Sequence, residues 1–517
     1  MAAPRSGSRR ELALTTPILN GPVLDSGVGM GLASGVARAS QAAGHSPVSR
    51  VKIKPMNKDY FFCGVGGSGM LPLAMIVQAQ GNRIAGSDRA LDQGRTPDKF
   101  DWLRAHGVTL SPQDGSGVTR ADQIVVATGA VEDTVPDIGA AKRVGATIKT
   151  RPQLLSELFN AAPTSIGVAG TSGKSTITGM VAWILDQAGR QPTVVNGAVM
   201  KNFADADHPF ASALVGGPDL FVAEVDESDG SIARYDATVA VVSNISLDHK
   251  SMEELRDLFG GFVGRATTAV LNLDNPETAA LAQTLEPGKA ITFALGEEEA
   301  DLSAHDLKPL PTGMTFELRV RGEAPRAVVL NVPGAHNVAN ALAALGAVKA
   351  LGVSVDDAVA ALESFAGIRR RLEVVGTQNG VTVIDDFAHN PDKIAATLKT
   401  LHAFDGRLLI LFQPHGFGPL KLMKHEFIEG FAGLMREHDV LLMPEPVYYG
   451  GTTDRSVGSE DIAAGVRAEG RQAEALPTRA DCGDRIIEIA RPGDRVVVMG
   501  ARDDSLSSFA AELLARL

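Results

Sequence analysis

The sequence alternates short apolar runs, each long enough for a β-strand, with longer segments of helical periodicity. The first runs are "YFFCGV", "RIAGSD" and "QIVVAT", and the segments between them predict helices from about Ser68 to Gln80 and near 98–106. Strands that alternate with helices form a parallel sheet, because each helix returns the chain to the edge where the next strand begins. The pattern therefore predicts an α/β fold with ligands at the carboxyl ends of the strands.

The alternation starts afresh twice along the chain. A second unit begins after residues 160–163 with "SIGVAG" and continues through "LFVAEVDESD", "VAVVSNISLDH" and "AVLNLD" to a helix-rich part near 336–365. A third begins near Glu373, with the strands "VTVIDDFAHNP", "RLLILFQPH", "DVLLMPEP" and "DRVVVMGA". Because 517 residues are too many for one core, we predict three α/β domains, at 51–160, 161–372 and 373–517. Residues 1–50, rich in Ser, Gly, Ala and Arg, are predicted to be a disordered N-terminal extension.

Composition limits the cellular compartments and the classes of partner that the protein can have. The formal net charge is −12 and no basic tract is sustained, which argues against a nucleic-acid partner. No uncharged apolar run approaches the roughly 18 residues of a membrane span, and the first fifty residues lack the apolar core of a signal peptide. The two cysteines, Cys63 and Cys482, favour a reducing compartment over a disulfide framework. The prediction is a soluble, cytoplasmic protein.

The stretch "GTSGKST" joins a predicted strand to a predicted helix and has the composition of a phosphate-binding turn. Its small residues let backbone N–H groups approach phosphate oxygens, and the helix that follows adds its positive end. A lysine followed by two hydroxyl residues suits phosphate and Mg²⁺. The generic pattern places another glycine where this chain has Val168, and an ordinary glycine-rich turn is the alternative. The candidate residues are Gly170, Thr171, Ser172, Gly173, Lys174, Ser175 and Thr176.

Acidic residues follow two further predicted strands and are candidate metal ligands. "AEVDESDG" contains Glu224, Asp226, Glu227 and Asp229, and "SNISLDH" ends in Asp248-His249. Mg²⁺ is bound in proteins by few carboxylates, and the ends of parallel strands present them to a ligand. A solvated acidic loop is the alternative for any one of these acids. Glu224, nearest its strand, is the strongest candidate.

A second glycine-rich turn, at Gly64–Gly69, fits the pattern G-x-G-x-x-G, and Asp88 follows near the spacing of a ribose-binding acid. The physics of this turn is common to all diphosphates. It predicts either a nicotinamide dinucleotide or a nucleotide-sugar diphosphate, and the alternative is a tight turn without a ligand.

These motifs, in this order, resemble the Mur ligase family, ATP-dependent amide-forming enzymes of peptidoglycan synthesis. The resemblance runs from about Asp59 to Leu517 and rests on "GVGGSGM", "AGSD", "GTSGKST", "EVDESDG", "NISLDH", "PGAHNVANALAAL", "FAGIRRRL" and "DDFAHNP", with "QPH" and "MGARD" near the end. It implies a Rossmann-like UDP-binding domain, a central P-loop ATPase-like domain and a Rossmann-like C-terminal domain that meets ATP and the amino acid.

The resemblance also implies a reaction, its cofactors and its biological setting. ATP, with Mg²⁺, would phosphorylate the carboxylate of UDP-N-acetylmuramate, and an amino acid, with L-alanine expected, would attack the acyl phosphate. The product would be a peptidoglycan precursor, needed for cell-wall biogenesis, cell shape and cell division. The expected protein is a monomer or a weak homodimer.

Site residues follow from the resemblance by position. The implied catalytic residues are Lys174, Glu224, His249, Arg370 and His389, and the implied metal ligands are Ser175, Glu224 and His249. ATP would contact residues 170–176 together with His336, Asn337, Asn340, Arg370, Arg371 and Asp386. The UDP-sugar would contact Gly64, Gly66, Gly67, Ser68, Gly69, Met70, Asp88, Thr128 and Arg151.

The chain departs from the family pattern at several of these motifs. Phe387, Ala388 and Asn390 stand where Tyr, Gly and His are usual, and Gly416 stands where an arginine normally follows "QPH". Two alternatives therefore remain beside alanine ligation: a recycling ligase that attaches a murein tripeptide, and a nucleotide-binding paralogue without catalysis. A nicotinamide dehydrogenase would not explain the second phosphate turn.

Overall fold

A computed structural model describes residues 58–128, 134–247, 250–296, 299–447, 454–501, 503 and 505–517. The predicted N-terminal extension at 1–50 lies outside these residues, as does His249. Residues Lys52–Leu517 belong to one compact unit. Within its described part, three β-sheets follow one another along the chain, each with helices packed on it.

The first sheet is fully parallel, with strand order β3-β2-β1-β4-β5. Predicted helix positions are close to those observed, because amphipathic spacing is a local property. The elements are β1 Asp59–Cys63, α1 Met70–Ala79, β2 Arg83–Ser87, α2 Arg89–Asp92, α3 Pro97–Ala105, β3 Thr109–Ser111, β4 Gln123–Ala127, α4 Pro136–Val144, β5 Thr147–Thr150 and α5 Arg151–Ala161.

The start of α5 is fixed by a capping box. The Thr150 hydroxyl accepts a hydrogen bond from the Gln153 N–H (3.3 Å), and the Gln153 side chain accepts one from the Thr150 N–H (2.8 Å). Reciprocal capping of this kind sets where a helix begins. It places Arg151 at the first helical position, beside the carboxyl ends of the strands.

The second sheet is mixed and has ten strands, in the order β15-β14-β13-β12-β11-β10-β6-β9-β7-β8. Helices α6 and α9 pack on one face in a shared apolar core. The elements are β6 Thr164–Ala169, α6 Lys174–Gln187, β7 Thr193–Val195, β8 Ala213–Leu214, β9 Leu220–Glu224, β10 Val239–Val242, α7 Met252–Arg265, β11 Thr268–Asn272, α8 Pro276–Thr284, β12 Ala290–Leu295, β13 Leu302–Leu310, β14 Gly313–Val320, β15 Arg326–Leu330, α9 Ala335–Ala350 and α10 Val355–Leu362, with 3-10 turns at Lys201–Phe203 and Ser231–Arg234.

The antiparallel extension formed by β13, β14 and β15 was not predicted. In β14, buried residues alternate with half-buried ones, which is the period of a strand with one face on the core. A continuous apolar run is the signal of a strand buried on both faces, and a strand of this kind does not produce one.

The third sheet has six strands in the order β16-β17-β21-β18-β19-β20, parallel except for the β16–β17 pair. The last strand in sequence, β21, is therefore inserted between β17 and β18. The elements are β16 Glu373–Gln378, β17 Val381–Asp386, α11 Pro391–Leu401, β18 Leu408–Gln413, α12 Phe417–Leu422, α13 Lys424–Leu434, β19 Val440–Pro444, α14 Ser459–Ala468, β20 Gln472–Leu476, α15 Arg479–Ile489, β21 Arg495–Gly500 and α16 Ser505–Arg516.

The predicted three-domain α/β architecture is confirmed. Within the residues whose positions are described, no helix is both long and apolar enough to cross a bilayer.

Candidate active site

The phosphate turn lies between the end of β6 and the start of α6, as predicted. Gly170 and Gly173 have φ angles of +134° and +89°, a region that L side chains rarely adopt. A Cβ at Gly173 would also fall 2.5 Å from Asn340 Oδ1. The turn is braced by Asn244, which accepts from the N–H groups of Thr171 (3.0 Å) and Ser172 (2.9 Å). The first N–H groups of α6 have no partner within the helix, so they face the same space with a partial positive charge.

The side chain of Lys174 is held inside this turn. Its Nζ donates to Gly170 O (2.7 Å) and to both carboxylate oxygens of Glu227 (3.0 and 3.2 Å). Burial alone would lower the pKa of Lys174, but the carboxylates of Glu227, Glu224 and Asp226 raise it overall. Lys174 is therefore an ammonium ion at neutral pH.

Glu224 is the last residue of β9 and accepts two hydrogen bonds on one oxygen. The Ser175 hydroxyl and the Gly197 N–H each donate to Oε2 at 2.9 Å. No described residue donates to Oε1. A half-buried carboxylate oxygen left over beside a serine hydroxyl is a suitable metal ligand. Of the three predicted ligands, the structure thus brings Ser175 and Glu224 together, while His249 lies outside the described residues.

A cavity of about 410 Å³ opens between the phosphate turn and the C-terminal domain. The predicted residues from Thr171 to Thr176, with Glu224, His336, Asn337, Asn340 and Asp386, all line it. Asp386 is braced on both oxygens: Oδ1 accepts from the Leu372 N–H (3.0 Å) and Oδ2 from the Thr397 hydroxyl (2.5 Å). Asn340 donates to the Asn337 side chain at 3.0 Å.

Arg370 and Arg371 lie in the linker between the central and C-terminal domains, and their side chains point in different directions. Arg371 lines the cavity, and its Nη2 lies 3.4 Å from the Ser175 hydroxyl. Arg370, predicted as the catalytic one, instead donates to the backbone of the C-terminal domain, at Gly500 O (2.6 Å) and Asp503 O (3.1 Å). The placement favours Arg371 over Arg370 as the arginine that reaches phosphate.

His389 lies just beyond the cavity-lining residues Phe387 and Ala388. Its ring makes edge contacts with the rings of Phe387 and His415, with centroids 5.4 Å apart in each case. Nδ1 lies 2.9 Å from Phe387 O, and because a carbonyl oxygen only accepts, Nδ1 carries the proton. Burial, with help from Lys393, lowers the pKa of His389 to about 4. At neutral pH the ring is uncharged and Nε2 keeps its lone pair.

The upstream turn is assembled by Asp88. Its two carboxylate oxygens accept from the N–H groups of Gly66 (2.9 Å) and Ala90 (2.8 Å), so this acid organises the turn rather than only facing a ligand. The remaining predicted residues, Gly67, Ser68 and Met70, belong to the same turn or the first position of α1. Thr128 lies against Gly64 and Arg151 against Gly69, so the structure brings this set together.

Arg151 also acts electrostatically on the acidic loop after β9. Burial would raise the pKa of Asp226, but Lys174, a hydrogen bond from Ser228 and, more weakly, Arg151 lower it overall. The charged form of Asp226 is therefore stabilised by Lys174 and, more weakly, by Arg151.

Several residues at the cavity were not identified from the sequence. Asn244 follows the buried strand β10, and Asn272 ends the buried strand β11. A polar residue at the end of a buried strand is the same signal that singles out the acids. Lys393 and Thr397 lie one helical turn apart on α11, and both line the cavity. Their part in the site depends on how α11 is placed against the central domain, and no local pattern reports that.

Three family descriptions match successive parts of the chain. "Mur ligase family, catalytic domain" matches residues 59–162, "Mur ligase middle domain" matches 168–348, and "Mur ligase, glutamate ligase domain" matches 370–502. Together they span most of the three α/β domains.

Relatives and solved structures agree with these matches. The UDP-N-acetylmuramate–L-alanine ligase of Cereibacter sphaeroides (strain ATCC 17025) is 34% identical over 469 residues, covering 88% of this chain and 96% of that protein. The fold is similar to that of the UDP-N-acetylmuramate–alanine ligase of Thermotoga maritima, with a TM-score of 0.71 at 23% identity over 88% of this chain and 98% of that one. It is also similar to a murein peptide ligase of Psychrobacter arcticus, with a TM-score of 0.65 at 24% identity over 89% and 98%. The chain belongs to the Mur ligase family of ATP-dependent ligases.

Proposed function

We propose that the protein joins L-alanine to UDP-N-acetylmuramate, with ATP as the energy source, to make a peptidoglycan precursor in the cytoplasm. The observation that carries the proposal is the cavity in which the phosphate turn faces Arg371 and the segment from Asp386 to Thr397 of the C-terminal domain. Relatives that are 34% identical over most of the chain bear the name of this activity.

ATP would be held by groups of opposite charge to its phosphates. Lys174, the amino-terminal end of α6 and Arg371 converge on the same space. His336, Asn337 and Asn340 also line the cavity, and we place the nucleoside beside them. ATP supplies the phosphoryl group that turns a carboxylate into an acyl phosphate, which can be attacked because its charge is masked and its leaving group is good. The protein's own contribution is positioning and charge neutralisation.

Mg²⁺ would be held by Ser175 and Glu224, with His249 as the third residue. Two donors occupy Glu224 Oε2, and Oε1 takes no hydrogen bond from any residue in the described ranges. Bound there, the ion would neutralise phosphate charge.

The UDP-sugar would bind at the turn from Gly64 to Met70. Arg151 suits a diphosphate, as do the N–H groups of Ser68 and Gly69, which take no acceptor among the described residues. Arg151 lies against Gly69 of this turn and lowers the pKa of Asp226 in the acidic loop, which supports a sugar carboxylate directed toward the phosphate turn.

The acceptor amino group would meet His389. The neutral ring offers the Nε2 lone pair as a hydrogen-bond acceptor, and its Nδ1–H bond to Phe387 O fixes the orientation. A peptide acceptor is the second candidate, favoured by Gly416, which leaves no side chain after "QPH" where an arginine is usual.

A single assay separates the candidates. The purified protein is incubated with UDP-N-acetylmuramate, ATP and Mg²⁺ and offered each amino acid, or the murein tripeptide, while phosphate release is followed. We expect release with L-alanine. Release with the tripeptide alone would identify a recycling ligase, and no release with any acceptor would refute the ligase assignment for this protein.

A further inference from the structure

The linker between the central and C-terminal domains changes its hydrogen-bond partners between Arg369 and Arg370. Up to Arg369 it is bound to the central domain: Ile368 forms an isolated β-bridge with Met200, and the Arg369 N–H donates to Val199 O at 2.9 Å. From Arg370 onward most of its backbone hydrogen bonds are with the C-terminal domain, although the Arg371 N–H donates to Ile368 O at 3.3 Å.

Arg370 is fastened to the C-terminal domain by both backbone and side chain. Its carbonyl accepts from the Phe387 N–H at 2.8 Å. Its guanidinium donates to Gly500 O and Asp503 O, and Nε lies 3.4 Å from Asp385 Oδ1. The side chain is only 10% exposed, and φ is +59°, an uncommon angle for a residue with a side chain. A backbone held at such an angle needs the surrounding contacts to maintain it.

The side chain of the next residue, Arg371, points toward the central domain. Arg371 belongs to the same fastened segment, but its guanidinium reaches Ser175 on the central domain. The ring of Phe387 lies beside both guanidinium groups, with its centroid 5.1 Å from Arg370 and 4.6 Å from Arg371. One aromatic ring therefore contacts both cations.

We propose that Arg370 and Phe387 are positioning residues that hold the linker to the C-terminal domain so that Arg371 presents its charge to the phosphate turn. The proposal rests on the assignment of that turn to ATP. It reassigns Arg370 from a phosphate contact to a residue that acts through its neighbour. A planar guanidinium is needed, because three acceptors in different directions are served at once.

The test is a double-mutant cycle on the binding of a non-hydrolysable ATP analogue with Mg²⁺, measured by calorimetry on the full chain. We expect Arg371→Ala to weaken binding about tenfold, as for loss of one charge-assisted hydrogen bond. Arg370→Ala should weaken it by a similar factor. The double variant should be no weaker than Arg371→Ala, because Arg370 acts only through Arg371.

The two alternative roles of Arg370 predict different affinities of the variants for the ATP analogue. If Arg370 contacts phosphate itself, the two losses multiply to about a hundredfold, and the proposal is refuted. If Arg370 has only a structural role, Arg370→Ala lowers the melting temperature and leaves the affinity unchanged, which also refutes it. Arg369→Ala is the matched control: this neighbouring arginine donates to Pro209 O on the central domain, and its loss should change affinity less than twofold.

Phe387 provides a second route should Arg370→Ala not fold. Phe387→Leu keeps an apolar side chain but removes the aromatic face, and we expect a severalfold loss of affinity that Phe387→Tyr does not show. Equal affinities for the Leu and Tyr variants would refute the role of the ring. Since these measurements need no acceptor, they can succeed or fail independently of the phosphate-release assay that tests the ligase function.

Discussion

With ATP at the phosphate turn as proposed, Glu227 would compete with it for Lys174, and replacement of Glu227 should therefore tighten nucleotide binding. Both carboxylate oxygens of Glu227 accept hydrogen bonds from the Lys174 ammonium, at 3.0 and 3.2 Å, and both side chains are largely buried. A phosphate oxygen contacting Lys174 would have to share or displace this partner. Glu227→Gln keeps the volume and one acceptor oxygen but removes the competing charge.

The expected magnitude follows from the distance. At 3.0 Å, an effective dielectric constant of about 20 gives a gross attraction of roughly 5 kcal/mol. Desolvation of both groups offsets much of this, and measured couplings for close charge pairs begin at about 1.5 kcal/mol. The variant should thus bind a non-hydrolysable ATP analogue about tenfold more tightly.

Calorimetry of the parent and the variant at one ionic strength measures the effect. Asp229→Asn is the matched control, because it removes the same charge from the same loop. Asp229 is exposed, and among described residues its carboxylate accepts one hydrogen bond, from the Ser231 N–H, so its replacement should change affinity less than twofold. Unchanged or weaker binding by a folded Glu227→Gln protein would show that Lys174 does not leave its carboxylate when ATP binds.

Three further outcomes are expected. Lys174→Ala should lower kcat for phosphate release at least a hundredfold, roughly the value of one buried charge contact at the reacting group, with an unchanged circular-dichroism spectrum; near-normal turnover would place ATP elsewhere. Gly66→Val should weaken UDP-sugar binding and spare ATP binding in calorimetry, because even a Cβ at Gly66 would lie 3.0 Å from the Phe100 ring and 3.1 Å from Asp88; binding of NADH by the parent would contradict the assignment of this turn. Burial raises the pKa of Asp385 from 3.8 to about 6, so its charge opposes folding and the C-terminal domain should lose up to about 3 kcal/mol as the pH rises from 4 through 6. Hydrogen exchange of the β17 amides, corrected for intrinsic rates, should show this loss in the parent and not in Asp385→Asn, and an equal loss in both would contradict it.

Most of the phosphate turn and of the fold class could be predicted from the sequence. The turn is local: glycines at 170 and 173, a lysine and two hydroxyl residues act through the backbone geometry of seven adjacent positions. Strand and helix alternation is equally local, and it led to three α/β domains. The antiparallel strands β13 to β15 were not predicted, because a strand such as β14 shows alternating burial instead of a continuous apolar run.

Which side chains meet across the domains was decided only by the tertiary structure. Adjacent arginines look equivalent in sequence. The Arg370 side chain nevertheless finds its acceptors at Gly500 O and Asp503 O, more than a hundred residues away, whereas Arg371 reaches Ser175. The pairing of Lys174 with Glu227 likewise joins the ends of two strands that are far apart in the chain and adjacent in the sheet. Local spacing fixes where a backbone turns, whereas the direction of a charged side chain depends on which distant groups packing brings within hydrogen-bond reach.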